Sequence, residues 1–397
     1  MIDVNEQLAS GIELLEKLHD HGHKAFFVGG FVRDRLLGMP TDDIDITTDA
    51  TPAQVAGIFP EAKPTGIKYG TVTVQRGSFT FEITTFRSES HYLDHRHPEK
   101  ITFAANLEDD LRRRDFTINA IAMTNSLEII DPYSGRDDLK RRLIRAIGNP
   151  KERFREDALR ILRAFRFVSK LDFAIEAATA KELTASASLL EKIANERIIG
   201  EFRKIINYPH ALKAFRLLHQ LGIGSGIKTL ETMFNFMHGQ KRFSLSEWEF
   251  YALAFHLDGL SEIPHCWRFS NKQKSIVTSI MTLAEVTKAD RFDEVLVYAY
   301  GLDLCLAANN VNRTLDPGND QEQRIRTIWE NLPIRKVCEL KFKGEDILKT
   351  TAITDVRQIG AIIDEVVMRV VTGQLENTYE AIAAWVDAYG KTNSRQD

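Results

Sequence analysis

A chain of 397 residues is longer than one ordinary hydrophobic core organises, so two or more domains are expected. Apolar and charged fractions of 43% and 27% are those of a globular protein, and no apolar stretch of about 18 residues offers a membrane span. A formal charge of only −4 argues against a uniformly basic nucleic-acid binder. Cys266, Cys305 and Cys338 lack Cys-x-x-Cys spacing, which argues against a zinc module or a disulfide framework. Met1-Ile2-Asp3-Val4-Asn5-Glu6 has neither a basic nor an apolar leader segment, so a cytoplasmic setting is expected.

Residues 5–20 carry Leu8, Ile12, Leu15 and Leu18 at helical spacing, closed by His21-Gly22. A strand over 24–28, a short helix over 30–37 and a strand over 43–47 follow, with Gly29-Gly30 at the first break. Residues two apart in a strand share a face, so Asp43 and Asp45 project together while Ile44 and Ile46 bury. Paired carboxylates are hard oxygen ligands suited to Mg²⁺, and a glycine pair lets backbone approach a phosphate. Thr51-Pro52 reads as the start of a helix ending near Phe59-Pro60. A hairpin pairs 72–75 with 79–84 around Arg76-Gly77-Ser78, and its Glu82 is either a third carboxylate beside the aspartates or a solvated strand-face residue.

Residues 87–105 are polar and aperiodic and read as a long loop, its His91, His95 and His97 solvated rather than metal-binding. Helices over 107–113 and Phe116–Met123, with a short strand pair around Leu127–Ile130, complete an α/β region near residue 146. From Lys151 the pattern is helical, through 245–258, 272–287, 292–308, 320–331 and 356–387, without a repeat. Arg112, Arg113, Arg114, Arg136, Arg141, Arg142, Arg145, Arg153, Arg155, Arg160, Arg163 and Arg166 crowd one stretch. Such a concentration can contact phosphates even in a mildly acidic protein, or simply form solvated helix faces.

Strand, Gly-Gly, helix and Asp-x-Asp strand in one unit resemble the nucleotidyltransferase superfamily. Further motifs occur in order: Leu111-Arg112-Arg113-Arg114-Asp115-Phe116-Thr117-Ile118-Asn119-Ala120, Asp131-Pro132-Tyr133-Ser134-Gly135-Arg136-Asp137-Asp138-Leu139, Arg153-Phe154-Arg155-Glu156-Asp157-Ala158-Leu159-Arg160 and Asn195-Glu196-Arg197-Ile198. The set resembles the class II tRNA nucleotidyltransferases, the CCA-adding enzymes, and the related bacterial poly(A) polymerases. It covers residues 20–206 strongly and continues more loosely through Trp267-Arg268-Phe269-Ser270-Asn271-Lys272 and Phe342-Lys343-Gly344-Glu345-Asp346-Ile347-Leu348.

The resemblance implies an α+β fold. A nucleotidyltransferase head of the polymerase β type with a small mixed sheet (1–146) precedes an elongated all-α remainder: a neck (147–206), a body (207–310) and a tRNA-binding tail (311–397). It implies Mg²⁺ on Asp43 and Asp45 as the catalytic pair, and Gly29, Gly30 and Arg33 around the triphosphate. Arg114, Asp115 and Asn119 would hold the ribose, Asp157 and Arg160 the base, and Arg163 and Arg166 the nucleotide as well. Asp34 is expected to pair structurally with a neighbouring arginine. Arg112 and Arg113 are either solvated or substrate contacts.

The hydrogen-bond logic of an Asp–Arg pair stands without any family. Cytosine and adenine both present an exocyclic amino donor to a carboxylate, whereas uracil and guanine present a carbonyl there. Asp157 and Arg160, three apart on an expected helix, would share a face and accept C and A; outside this setting they would read as an ordinary ion pair.

The implied partners are tRNA, gripped at acceptor stem and elbow with Lys272, Lys274, Lys341 and Lys343 contributing, and CTP and ATP. Neither a membrane nor DNA is implied. The oligomeric state stays open, a homodimer among the options. Residues 87–105 have the length seen in CCA-adding and A-adding members rather than the shortened loop of CC-adding ones. The chain closes on Thr392-Asn393-Ser394-Arg395-Gln396-Asp397 without the basic extension of poly(A) polymerases. CCA addition is expected, A-addition or poly(A) synthesis second, and a catalytically inactive RNA-binding module is the alternative from another class. The chain departs from the family at Tyr69, where a histidine is frequent, and at Asn195, where serine is frequent.

Overall fold

The computed structural model describes residues 4–41, 43–66, 70–92, 98–103, 106–350 and 356–393, with backbone alone at 4–5, 43, 64–66, 88–92, 98–103, 228, 350, 356 and 391–393. Two compact units result, Met1–Phe243 and Ser244–Asp397.

The first unit opens with α1 (Val4–Asp20), β1 (Ala25–Val28), α2 (Gly29–Leu36), β2 (Asp43–Thr48) and α3 (Pro52–Ile58). Thr51 caps α3 in a reciprocal box with Gln54, as Thr-Pro at a helix start predicts. The strands β3 (Lys63–Gly66), β4 (Thr71–Arg76) and β5 (Phe79–Thr85) follow, then β6 (Arg87–Tyr92), β7 (Pro98–Phe103) and α4 (Leu107–Arg112). After β8 (Ala122–Met123) and β9 (Ile129–Ile130) come α5 (Gly135–Arg141), β10 (Leu143–Ile144), α6 (Pro150–Glu156), α7 (Leu159–Leu171) and β11 (Ala174–Ile175). The unit ends with α8 (Ala177–Ala185), α9 (Asn195–Asn207), α10 (Ala211–Gln220) and α11 (Glu231–Gly239).

The main sheet has the order β3-β4-β5-β2-β1-β8-β9 and is mixed, with β2 and β5 parallel and the other neighbours antiparallel. Its apolar alternation is the expected one. Ile44, Ile46, Phe81 and Ile83 are buried, and Phe27 and Phe31 join them from β1 and α2. In this register Asp45 lies opposite Val28 on one side and Glu82 on the other, and the backbone of Asp43 lies opposite Thr80.

Two expectations fail here. The aperiodic stretch 87–105 contains a two-stranded ribbon, β6 paired with β7 from Arg87↔Phe103 to Tyr92↔Pro98. Period-2 hydrophobicity reports burial of one face, and main-chain pairing does not require it. His91 belongs to β6, while His95, His97 and Tyr69 lie outside the described residues. The expected helix Phe116–Met123 is instead a 3₁₀ turn at Thr117–Asn119 leading into β8. Phe116, Ile118 and Ala120 to Met123 are all buried, and an all-round apolar run cannot be told from a helix by periodicity.

The second unit contains α12 (Glu247–Leu257), α13 (Asn271–Val286), α14 (Glu294–Leu315), α15 (Glu322–Asn331), α16 (Gly344–Thr350), α17 (Val356–Val371) and α18 (Tyr379–Asn393). The expected single helix over 356–387 is broken at Gly373, whose φ of +73° suits glycine. The body–tail joint expected at 310/311 falls inside α14. Trp267 and Phe269 pack on Tyr251, and Ser270 caps α13, so the Trp-Arg-Phe-Ser-Asn-Lys stretch builds a core and a helix start.

Candidate active site

The site forms where β1 ends. The chain leaves Val28 through Gly29 at φ +67° and enters α2, whose first N–H groups have no side-chain cap among the described residues. Uncapped N–H groups at a helix start form an anion-binding position. A Cβ on Gly29 would sit 2.9 Å from Arg114 Nη1 and 3.0 Å from Asp45 Oδ2. Backbone, carboxylate and guanidinium therefore converge on one point. Gly29→Ala is expected to lower the kcat/KM of this candidate site about 100-fold while costing about 1–2 kcal/mol of stability, from the left-handed φ and the crowding. A single-turnover assay and a urea melt check the two numbers separately.

Asp45 and Glu82, adjacent in the sheet, line the same cleft, with Thr71 and Thr84 beside them. Among the described residues no three His, Cys, Asp or Glu side chains cluster as a metal site. The side chain of Asp43, the expected partner of Asp45, lies outside the described residues. The hard carboxylate oxygens of Asp45 and Glu82 suit a divalent cation.

A second wall comes from the end of α4. Asp110 is fully buried and accepts from Arg113 at 2.8 Å and Arg114 at 3.0 Å. Burial pushes its carboxyl up, but the charges of Arg114 and Arg113 override that and hold it at about 2. Asp115 is buried too. Its Oδ1 accepts from the Phe116 N–H and from Asn119 Nδ2, both at 2.8 Å, and its Oδ2 accepts from Arg163 Nε at 2.6 Å. Burial raises the carboxyl, and Arg163 and Asn119 more than reverse it, leaving it well below the usual carboxylate range. Asn119 Oδ1 accepts from Arg33 Nη1 at 2.6 Å, and Asp34 takes Arg33 through both oxygens and Lys170 at 2.7 Å. Asp34 is thus a buried ion-pair partner. Arg112 is exposed beside Glu108, whereas Arg113 faces the cleft.

The third wall corrects an expectation. Asp157 and Arg160 do not share a helix. α6 stops at Glu156, Asp157 is extended at φ −143°, and α7 starts at Leu159. Asp157 caps the new helix: its Oδ1 accepts the Leu159 N–H at 3.0 Å and its carbonyl the Arg160 N–H. Aspartate is favoured at such a start, which continuous apolar periodicity hides. Asp157 Oδ2 accepts from Arg197 at 2.8 Å, and Arg160 donates to Glu156 at 3.1 Å and to the Arg113 carbonyl at 2.7 Å. Both residues still line the cleft.

The cleft measures about 750 Å³ and, among the described residues, is lined by ten basic side chains against four carboxylates, a polarity suited to a polyanion. Gly30, Arg33, Asp45, Glu82, Arg114, Asp115, Asn119, Asp157, Arg160, Arg163 and Arg166 all line it. So do Phe167, Lys170, Arg197, Lys204 and Tyr208, to which the sequence reading assigned no role. A signal existed for two of them. Arg166, Phe167 and Lys170 follow Arg163 by three, four and seven residues, one helix face. The Asp131–Leu139 motif braces the wall instead. Asp131 accepts the Gly135 and Arg136 N–H groups, and buried Asp138 accepts from Thr117 at 2.7 Å and Arg145 at 3.1 Å.

A family model for the poly A polymerase head domain matches residues 25–145. One for a probable RNA and SrmB-binding site of polymerase A matches 172–228, and one for a putative tRNA nucleotidyltransferase domain 2 matches 244–386. The CCA-adding enzyme of Bacillus cytotoxicus is 35% identical over 388 residues, covering 94% of this chain and 96% of its own. That of Geobacillus stearothermophilus is 35% identical over 392 residues, covering 96% and 97%. The crystal structure of the Bacillus stearothermophilus CCA-adding enzyme in complex with CTP superposes with a TM-score of 0.85 at 34% identity, over 98% of this chain and 99% of that one. Nucleotidyltransferases of this family generally use divalent metal ions. With 35% identity over 94% of this chain and a fold shared over 98% of it, the chain belongs to the CCA-adding enzymes, a family of nucleotidyltransferases.

Proposed function

We propose that this chain adds C, C and A in turn to the 3′ end of tRNA from CTP and ATP, with no nucleic-acid template. The observation that carries the reading is one cleft of about 750 Å³ holding the sheet carboxylates, the Gly29-Gly30 turn, the Asp115–Asn119 wall and the Asp157–Arg160 wall together.

In the reaction the RNA 3′-hydroxyl oxygen forms a bond to the α-phosphorus, and the bond from that phosphorus to the bridging oxygen breaks as pyrophosphate leaves. Asp43 and Asp45, with Glu82 as a third donor, would hold Mg²⁺, which supplies neutralisation of phosphate charge and acidification of the attacking hydroxyl. The N–H groups after Gly29 and Gly30 and the guanidinium of Arg33 receive the triphosphate. Arg114, Asp115 and Asn119 hold the ribose; a carboxylate oxygen of Asp115 accepts from the 2′-hydroxyl. Asp157 accepts the amino group shared by cytosine and adenine, Arg160 donates to the ring acceptors, and Arg163 and Arg166 complete the binding of the nucleotide.

Residues 1–146 thus act as the catalytic head and 147–206 as the base-reading neck. Residues 207–310 and 311–397 act as a body and tail that hold the tRNA acceptor stem and elbow. Lys272, Lys274, Lys341 and Lys343 are exposed and available to its phosphates. The cytoplasm is the setting for this substrate.

The test offers tRNAs ending before CCA, after C and after CC to the protein with each NTP alone. C is expected on the first two and A on the last only. Processive A on all three would instead mark a poly(A) polymerase, and A on the last with no C anywhere an A-adding enzyme.

A further inference from the structure

Several of the cations in the cleft gather around one ring. Phe167 is 3% exposed, and its ring centroid lies 5.0 Å from the Arg33 guanidinium, 4.8 Å from that of Arg166 and 5.8 Å from that of Arg163. Arg33 arrives from α2, whereas Arg163 and Arg166 precede Phe167 on its own helix α7. Each arginine keeps its own carboxylate, Asp34, Asp115 or Glu201, so three ion pairs radiate from the ring. Phe116 packs edge-on against Phe167 at 5.7 Å and 85°, which fixes the plane of the ring. Three guanidiniums this close repel one another, and the negative face of an aromatic ring attracts cations in a way an aliphatic side chain of similar volume does not.

We propose that Phe167 is a positioning residue for nucleotide binding. Its ring face holds Arg33, Arg163 and Arg166 in the arrangement that receives the part of the nucleotide common to CTP and ATP. The proposal rests on the reading that these arginines bind the nucleotide. A ring that merely filled the core would govern stability; a ring that orients charge governs KM.

The experiment replaces Phe167 in the full chain by phenylalanines carrying one, two and three ring fluorines, which weaken the face with little change of size. KM for CTP and for ATP should climb together with each fluorine, to about tenfold at the third, while kcat and the choice between C and A hold. Phe167→Leu should raise both KM values at least as far, and Phe167→Tyr, which keeps the face, should stay near the wild-type values. Thermal midpoints measured alongside separate lost packing from lost orientation. A flat KM across the fluorinated series overturns the proposal, as does an effect confined to one nucleotide. Arg33→Gln and Arg166→Gln test the underlying reading separately. If they leave KM unchanged, that reading falls and this proposal with it; if they raise it while the fluorinated series stays flat, only the role of Phe167 falls.

Discussion

Asp45→Ala is expected to reduce nucleotide incorporation by about 10³-fold or more while tRNA binding is retained, because under the proposed mechanism the carboxylate serves the reacting phosphate rather than the RNA. Asp45 lies directly beside Glu82 in the parallel β2–β5 register and lines the cleft at the Gly29 turn. Removing a carboxylate placed beside another relieves like-charge repulsion, which offsets the loss of its attraction to Arg114 at the Gly29 turn. The thermal midpoint is expected to hold within about 2 °C, which separates a chemical defect from a folding one. Single-turnover incorporation and filter binding with the same tRNA provide the two readings. Incorporation within tenfold of wild type would remove Asp45 from the chemistry. Loss of tRNA binding at an unchanged midpoint would point instead to a role in holding the RNA.

The second large effect concerns selectivity. Asp157→Asn replaces an acceptor by a group that is half donor, at a position whose other contacts are the Leu159 N–H and Arg197. Incorporation of C is expected to fall about 100-fold, and the preference for CTP over UTP to shrink by a similar factor, since the amide can donate to the uracil carbonyl that the carboxylate repels. Competition between CTP and UTP on a tRNA lacking CCA measures this directly. If the ratio of C to U incorporation is unchanged while both rates drop, Asp157 supports the pocket through Arg197 and reads no base. The distinction matters because Asp157 both accepts the Leu159 N–H at the start of α7 and faces the cleft.

The alternation in Asp43-Ile44-Asp45-Ile46, the glycine pair before it and the hairpin carrying Glu82 were legible because strand pleat and turn chemistry are local. The buried Ile44 and Ile46 on one face dictate where the intervening Asp45 points. The position of Asp157 was misread for an equally local reason: two helices abutting at an aspartate cap leave the same apolar period as one. The ribbon at 87–103 escaped notice because its pairing is carried by backbone groups, which side-chain hydropathy does not report.

The pairing of charges lay beyond local reading altogether. Arg163 meets Asp115 across 48 residues, Lys170 meets Asp34 across 136, and Arg33 meets Asn119 across 86. Side-chain types and their order declare the chemistry, phosphate handling by carboxylates, glycines and arginines, because each residue carries its donors and charges wherever it sits. Which arginine meets which carboxylate, and that three of them share the ring of Phe167, depends on side chains of α7 reaching α2 and Asp115. Only folding brings those distant segments within hydrogen-bond reach.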